Sequence, residues 1–152
     1  MTPRGGADIR IDALLPAEMA AKAEQIGVKR ADIDNLSLFI LALLAGAFVA
    51  FGALFFTTTI AGASQVMPFG AMRLMGGVAF ALGLVLAICG GAALFTGDNL
   101  IVMAWASGKV STASMLRTWV IVYAGNFVGA AATAVFVYVS GQYTFGNGAV
   151  GA

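Results

Sequence analysis

The sequence predicts an all-α integral membrane protein with three transmembrane spans, the second of which is broken. Of its 152 residues, 61% are hydrophobic and only 10% are charged, whereas an ordinary soluble domain carries about 25% charged residues. The apolar residues also form three runs of the roughly 20 residues that a helix needs to cross the hydrocarbon layer. The lipid bilayer is therefore the first partner that the sequence predicts.

Composition also argues against several classes of function. A net charge of +1 without a basic cluster argues against nucleic acid as a partner. The chain contains no histidine and a single cysteine, Cys89, which lies inside an apolar run, so zinc sites and Ser/His or Cys/His catalytic pairs are excluded within these 152 residues. We expect neither an enzyme nor a cofactor.

Residues 1–35 form a charged arm ahead of the first span. They hold five of the eight Lys and Arg residues and six of the seven Asp and Glu residues. Pro16 suits the first turn of a helix and Gly27 its end, while Glu18 and Lys22 form an i,i+4 pair between them. The arm therefore predicts a short amphipathic helix that lies at the membrane surface or against the helical bundle.

The three spans are predicted at 36–61, 72–106 and 116–139. The second stretch is too long for one comfortable span, and we expect it to be broken at 94–99. The last residues, 140–152, are either an external tail or the start of a loop to a further segment. Lys and Arg divide seven to one between alternate sides, which by the positive-inside rule predicts a cytoplasmic amino terminus in the cell inner membrane.

The break is predicted from the polar residues Gly97, Asp98 and Asn99 within the apolar run. Backbone that leaves the helix at membrane depth must be surrounded by protein or by a water-filled cavity, and half-helices there present N–H groups that suit an anion. The alternative is that the second span ends near Thr96 and that Asp98 or Asn99 caps a short interfacial helix. We expect Asp98 to be a helix N-cap, because an ionised carboxylate in the pathway would repel an anion.

Glycine spacing predicts close contact between the helices. Glycines recur every seven residues along the second stretch, at Gly76, Gly83, Gly90 and Gly97. Glycines at this spacing lie on one side of a helix and form a stripe without side chains there. In the third span Gly125 and Gly129 form a Gly-x-x-x-Gly pair beside Asn126, which suits tight packing with an interhelical hydrogen bond.

Four ordered motifs resemble the formate/nitrite transporter family, and its formate branch more than its nitrite branch. They are Met-Pro-Phe-Gly at 67–70, Gly-Gly-Ala-Ala-Leu-Phe-Thr at 90–96, Ala-Ser-Gly-Lys at 106–109 and Tyr-Ala-Gly-Asn-Phe-Val-Gly at 123–129. The resemblance covers nearly the whole chain. It implies a homopentamer in which each protomer has its own pore, and a six-span, aquaporin-like inverted repeat of which this sequence matches the amino-terminal half.

The resemblance also implies a substrate pathway, at Phe80, Leu84, Leu94, Phe95 and Thr96. In the family, apolar residues at the first four positions narrow the pore. The threonine hydrogen-bonds a histidine that the second half supplies. These roles are carried over from the family.

The function that the resemblance implies is a channel or transporter for small monovalent anions, with formate as the first expectation. Nitrite or hydrosulfide transport by the same fold is an alternative. Another alternative is a non-conducting half-protein that serves as a structural membrane subunit. The reading frame beyond Ala152 distinguishes a transporter from such a half-protein, because three further spans with a histidine would indicate an ordinary transporter.

Overall fold

The computed structural model describes residues 16–151, and no strand occurs among them. The helices are α1 Pro16–Ala31, α2 Asn35–Ile60, α3 Phe69–Cys89, α4 Phe95–Asp98, α5 Ile101–Ala106 and α6 Thr112–Val139, with single 3₁₀ turns at Ala63–Gln65 and Gln142–Thr144. The part of the predicted arm before Pro16 lies outside the described residues. The predicted all-helical fold is confirmed.

Three of these helices are long and apolar enough to cross a membrane. α2, α3 and α6 contain 26, 21 and 28 residues, with mean hydropathies of 2.6, 2.0 and 1.9. At about 1.5 Å per residue even α3 is roughly as long as the hydrocarbon layer is thick. Most of their surface is not buried within the chain, so lipid or further protein must cover it.

Local signals set where the spans begin. The Asp34 carboxylate accepts a hydrogen bond from the Ser37 N–H at 2.9 Å and so caps α2. The Ser111 hydroxyl accepts one from the Ser114 N–H at 3.2 Å and caps α6, which therefore begins at Thr112 rather than at 116. Pro68 precedes α3, where a residue without an N–H leaves no donor unpaired.

α2 is the central helix and packs against α3 and α6 through glycines. A Cβ built on Gly83 would lie 2.6 Å from the Phe48 carbonyl oxygen, and one on Gly76 would lie 2.7 Å from the Phe56 ring. A Cβ built on Gly90 would lie 3.2 Å from the Phe48 ring. Three members of the predicted stripe thus face α2, whereas Gly97 has no atom within 4 Å of its would-be Cβ.

The contact between α2 and α6 is closer still. A Cβ on Gly125 would lie 2.5 Å from the Ala42 Cβ, and one on Gly129 would overlap the Leu43 carbonyl oxygen. The two backbones therefore touch, and a side chain on either glycine would push them apart. Such backbone contact is the packing that Gly-x-x-x-Gly pairs favour in membranes.

α1 lies against the bundle. Its Gly27 approaches α5 so closely that a Cβ would lie 3.1 Å from the Ala104 Cβ. The Arg117 guanidinium on α6 donates hydrogen bonds to the carbonyl oxygens of Ala31, at 3.2 Å, and Ile33, at 2.6 Å. These contacts fix the helix end that leads into α2.

The second span breaks earlier than the sequence predicted. Gly91 has a φ of +63°, a left-handed conformation that glycine adopts without strain. The Ala92 N–H donates to Ala87 O at 3.0 Å and the Gly91 N–H to Ile88 O at 3.1 Å, which is the Schellman pattern that ends helices. The chain then runs extended to Leu94. The prediction that 94–99 is non-helical is wrong for Phe95–Asp98, which forms one helical turn.

Candidate functional site

The broken span borders a cavity of about 490 Å³ between α1, the end of α3 and the α4 turn. Its lining includes Arg30, Leu84, Leu94, Thr96, Gly97 and Asp98. The lining is mostly apolar, with a hydroxyl and one charge of each sign. This cavity is the candidate functional site.

Asn126 holds the extended segment against the bundle. Its amide NH₂ donates to Ala42 O at 2.8 Å and to Ala93 O at 2.9 Å. Its amide oxygen accepts from the Phe95 N–H at 2.9 Å. A second tie is the Ala93 N–H, which donates to Leu41 O at 3.1 Å. Asn126 thus supplies the predicted interhelical hydrogen bond and also pairs backbone groups that the break removes from the helix.

Arg30 reaches the same segment from α1. Its guanidinium lies 3.4 Å from Gly91 O and 3.3 Å from Ala92 O. Its Nε lies 3.3 Å from Asp98 Oδ1. One side chain therefore contacts the chain on both sides of the extended segment.

Asp98 is buried, with 5% of its side chain exposed. The other carboxylate oxygen, Oδ2, has no hydrogen-bond donor among residues 16–151. The prediction that Asp98 is an N-cap is wrong, because it is the last residue of α4, and α5 begins after Leu100 without a side-chain cap. Its partner is a cation from a distant helix and not the N–H groups that follow it.

Phe95 packs against α6 rather than lining the cavity with Leu94. Its ring meets the rings of Tyr123 and Trp119 edge to face, with centroids 5.6 Å and 6.4 Å away. The Trp119 indole N–H also donates to Asp98 O at 3.3 Å. The aromatic contacts and this hydrogen bond hold the α4 turn against α6.

The structure brings some of the sequence-predicted pathway residues together and separates others. Leu84, Leu94 and Thr96 line the one cavity, and Thr96 is exposed. Phe80 lies in a separate apolar groove beside Phe56 and Thr57. Asn99, predicted as part of the break, is exposed at the end of α4.

Outside the spans, an ion pair ties α1 to the loop that precedes α6. Lys109 Nζ lies 2.9 Å from Glu24 Oε2. Hydrogen bonds from Ser107 and Lys109 hold the pKa of the Glu24 carboxyl below its ordinary value. The pKa of Asp34 is likewise lowered by the hydrogen bond from the Ser37 backbone. Both carboxylates are thus stabilised in their charged form at neutral pH.

Two residues of the site were not predicted from the sequence. Arg30 entered only as one positive charge of the arm, and Trp119 was assigned no role. Each contacts a residue far along the chain, since Arg30 and Gly91 are 61 positions apart. A local sequence pattern holds no signal for such a contact. The one available hint was that Arg30 is a basic residue in the last turn of a helix that precedes a span.

The groups in the cavity suit non-covalent binding. A hydroxyl, a guanidinium and apolar side chains can surround a small polar solute. Among residues 16–151, no group of three or more His, Cys, Asp and Glu is placed to hold a metal ion. The site thus offers hydrogen bonds and charge.

A family model described as "Formate/nitrite transporter" matches residues 17–152. The chain belongs to the formate/nitrite transporter family. It is a multi-pass membrane protein with three helices of membrane-spanning length. The resemblance drawn from the four sequence motifs is confirmed.

Family relatives are similar over most of this chain. Formate channel FocA of Escherichia coli K12 is 43% identical over 142 residues, which cover 93% of this chain and 50% of the relative. Formate channel FocA of Haemophilus influenzae is 37% identical, with 90% and 48% covered. The formate-nitrite transporter of Plasmodium falciparum is 36% identical, with 84% and 43% covered. The chain spans about half the length of the curated relatives it matches.

A solved structure is also similar. It is described as a pentameric formate channel with formate bound and is 37% identical, with a TM-score of 0.72. The match covers 77% of this chain and 46% of the solved chain. The two chains therefore share a fold over most of the length of this one.

Proposed function

We propose that this chain forms half of a transmembrane pore for a small monovalent anion, with formate as the anion. The observation that carries the proposal is the cavity beside the broken span, where Thr96 stands among Leu84 and Leu94. Relatives named as formate channels and a solved channel that holds formate support the choice of anion.

The geometry fits passage of an anion rather than tight binding. Apolar side chains strip water from a charged solute, which is unfavourable without compensating hydrogen bonds. The exposed Thr96 hydroxyl can donate one such bond. Transient protonation of formate to formic acid would lower the desolvation penalty further. Passage thus needs few strong contacts.

The proposal extends to assembly and orientation. The solved relative is pentameric, and much of the surface of α2, α3 and α6 is left unburied by this chain. We propose a homopentamer in the cell inner membrane. The seven-to-one division of Lys and Arg supports a cytoplasmic amino terminus.

A substitution at Thr96 tests the pathway. In the protein expressed from its full reading frame and reconstituted in liposomes, Thr96→Val should lower formate uptake severalfold, because valine keeps the shape and removes the hydroxyl. Assembly, followed by size-exclusion chromatography, should persist. Thr59→Val is the matched control, since the Thr59 hydroxyl donates only to Phe55 O of its own helix. Equal uptake by Thr96→Val and the parent would remove Thr96 from the pathway.

A second experiment tests whether residues 1–152 suffice. They hold no histidine, hence no side chain whose unperturbed pKa lies between pH 5 and 8, and they span about half the length of the relatives. Liposomes that contain only this chain should show no formate uptake that rises as pH falls. Escherichia coli FocA in matched liposomes is the positive control. Comparable, pH-dependent uptake by this chain alone would contradict the expectation and favour pairing of two copies.

A further inference from the structure

We propose that Arg30 and Asp98 form a charge-compensating pair in the wall of the cavity, and that Arg30 is a positioning residue for the break. The pair would set the electrostatic potential that an anion meets beside Thr96. This inference rests on the proposed function and names a specificity-determining feature of the same site.

The first support is geometric. Arg30 lies within 3.3 Å of Asp98 Oδ1 after the extended segment, and within 3.4 Å of the Gly91 and Ala92 carbonyl oxygens before it. A guanidinium has five donors in a fixed fork and can serve several acceptors at once. The position of the α4 turn relative to the end of α3 therefore depends on a side chain of α1.

The second support is the charge inventory of the cavity. Arg30 and Asp98 are the only charged residues among the described residues that line it. Their side chains are 22% and 5% exposed, so solvent screens them less than it screens surface charges. With both present their charges cancel, and without Asp98 the positive charge of Arg30 remains beside the path.

The third support is that stability alone gives little reason for such a pair. Replacement of a buried ion pair by apolar side chains is often neutral or stabilising, whereas removal of one partner is strongly destabilising. Asp98 Oδ2 also lacks a donor among residues 16–151, so the carboxylate is not fully satisfied within this part of the chain. A carboxylate in an anion pathway is tolerable if a cation offsets it, and Arg30 is placed to do so.

The test measures formate uptake against formate concentration for four proteins made from the full reading frame. They are the parent, Asp98→Asn, Arg30→Met and the double variant. Asp98→Asn should lower the half-saturating concentration about tenfold, because Arg30 is left uncompensated, whereas Arg30→Met, which removes the cation, should not lower it. The double variant should return towards the parent value. Equal half-saturation in the parent and Asp98→Asn would overturn the proposal.

Two neighbouring residues provide matched controls. Lys29→Met removes the same charge from α1, and Asp32→Asn makes the same change just beyond it. Both residues are exposed and line no part of the cavity, so neither variant should move the half-saturating concentration. A shift in Asp32→Asn as large as that in Asp98→Asn would show a general charge effect and overturn the assignment to the pair.

Thermal unfolding in detergent separates this inference from the proposed function. If Arg30 and Asp98 interact, the two single variants should each unfold at a lower temperature, and the double variant should be less destabilised than their sum. Additive shifts would overturn the pair. If the parent takes up no formate, the proposed function fails, and the unfolding cycle still decides whether the pair exists. Arg30→Lys keeps the positive charge but lacks the fork of donors. Its half-saturating concentration should be close to that of the parent, whereas its unfolding temperature should remain lowered.

Discussion

Two contacts made by neighbouring turns of α6 differ in how they hold the membrane-embedded part of the chain. At Gly125 and Gly129 the backbone of α6 touches that of α2, and any side chain would intervene. At Asn126, between them, a side chain reaches out and bonds Ala42, Ala93 and Phe95. Where both partners are helical, their backbone groups are already paired and close approach is enough.

A broken helix needs hydrogen-bond partners that a continuous helix does not. At the break, N–H and C=O groups lose their helical partners, and lipid offers none. Asn126, Arg30 and the carbonyl of Leu41 supply the replacements. A smooth contact therefore depends on the absence of side chains, and a break depends on the presence of particular polar ones.

The largest effect on stability is expected at Asn126. Asn126→Leu leaves the Ala93 carbonyl oxygen and the Phe95 N–H at the break without this partner, and orphaned buried groups are unfavourable by about 1–3 kcal/mol each. We expect a loss of about 3 kcal/mol in the free energy of unfolding. Thermal or chemical unfolding in detergent measures it.

Asn126→Asp tests the amide NH₂ group of Asn126 separately from its oxygen. Aspartate keeps an oxygen for the Phe95 N–H and loses the NH₂ group that serves the two carbonyls. It should therefore also be destabilised. Asn99→Leu is the control, since Asn99 is exposed and no side-chain hydrogen bond of it occurs within residues 16–151. If Asn126→Leu were as stable as Asn99→Leu, Asn126 would not be what holds the break.

The next largest effect on stability is expected at Gly129, where the backbone of α6 touches that of α2. Gly129→Ala places a methyl group where the Leu43 carbonyl lies, and overpacking typically destabilises by about 1–3 kcal/mol. Gly77→Ala is the matched control, because no atom lies within 4 Å of its would-be Cβ. In a helix interior that change should be neutral or stabilising by up to about 1 kcal/mol. Unfolding in detergent compares the two, and equal stability of both variants would contradict backbone contact at Gly129.

The same comparison explains how much the sequence could predict. Length and hydropathy define spans, and a Gly-x-x-x-Gly pair marks a close contact, because both are local properties. α3 was predicted to continue past Gly90 and Gly91 because the residues beyond them are apolar. The helix ends there because Gly91 takes a left-handed conformation. A Gly-Gly pair is a known helix-ending signal, and it was a better guide than the polar residues that follow.

The role of Asp98 was beyond local reasoning. Asp before a short helical run is a common N-cap, and that rule considers only the few residues that follow. The cation that pairs with Asp98 comes from α1, and the break itself brings the two together. Residues that compensate for irregular backbone are thus the hardest to predict, because their partners exist only once the chain has folded.

The smallest effect is expected outside the membrane, at the contact of Glu24 with Ser107 and Lys109. Glu24 is exposed to screening, and exposed ion pairs contribute little. Since the folded-state pKa of Glu24 is lowered, its contribution is present above the unfolded value of about 4.3 and is lost as pH falls through the folded value. Glu24→Gln should therefore unfold at a slightly lower temperature than the parent at pH 7. The difference should vanish towards pH 3, below the ordinary range for glutamate, and should shrink in high salt.

The double variant Glu24→Gln, Lys109→Met should show no dependence on salt beyond that of the single one. A difference that persists at low pH would mean that Glu24 acts through packing rather than charge, and the contrast between membrane and surface contacts would then be one of geometry alone.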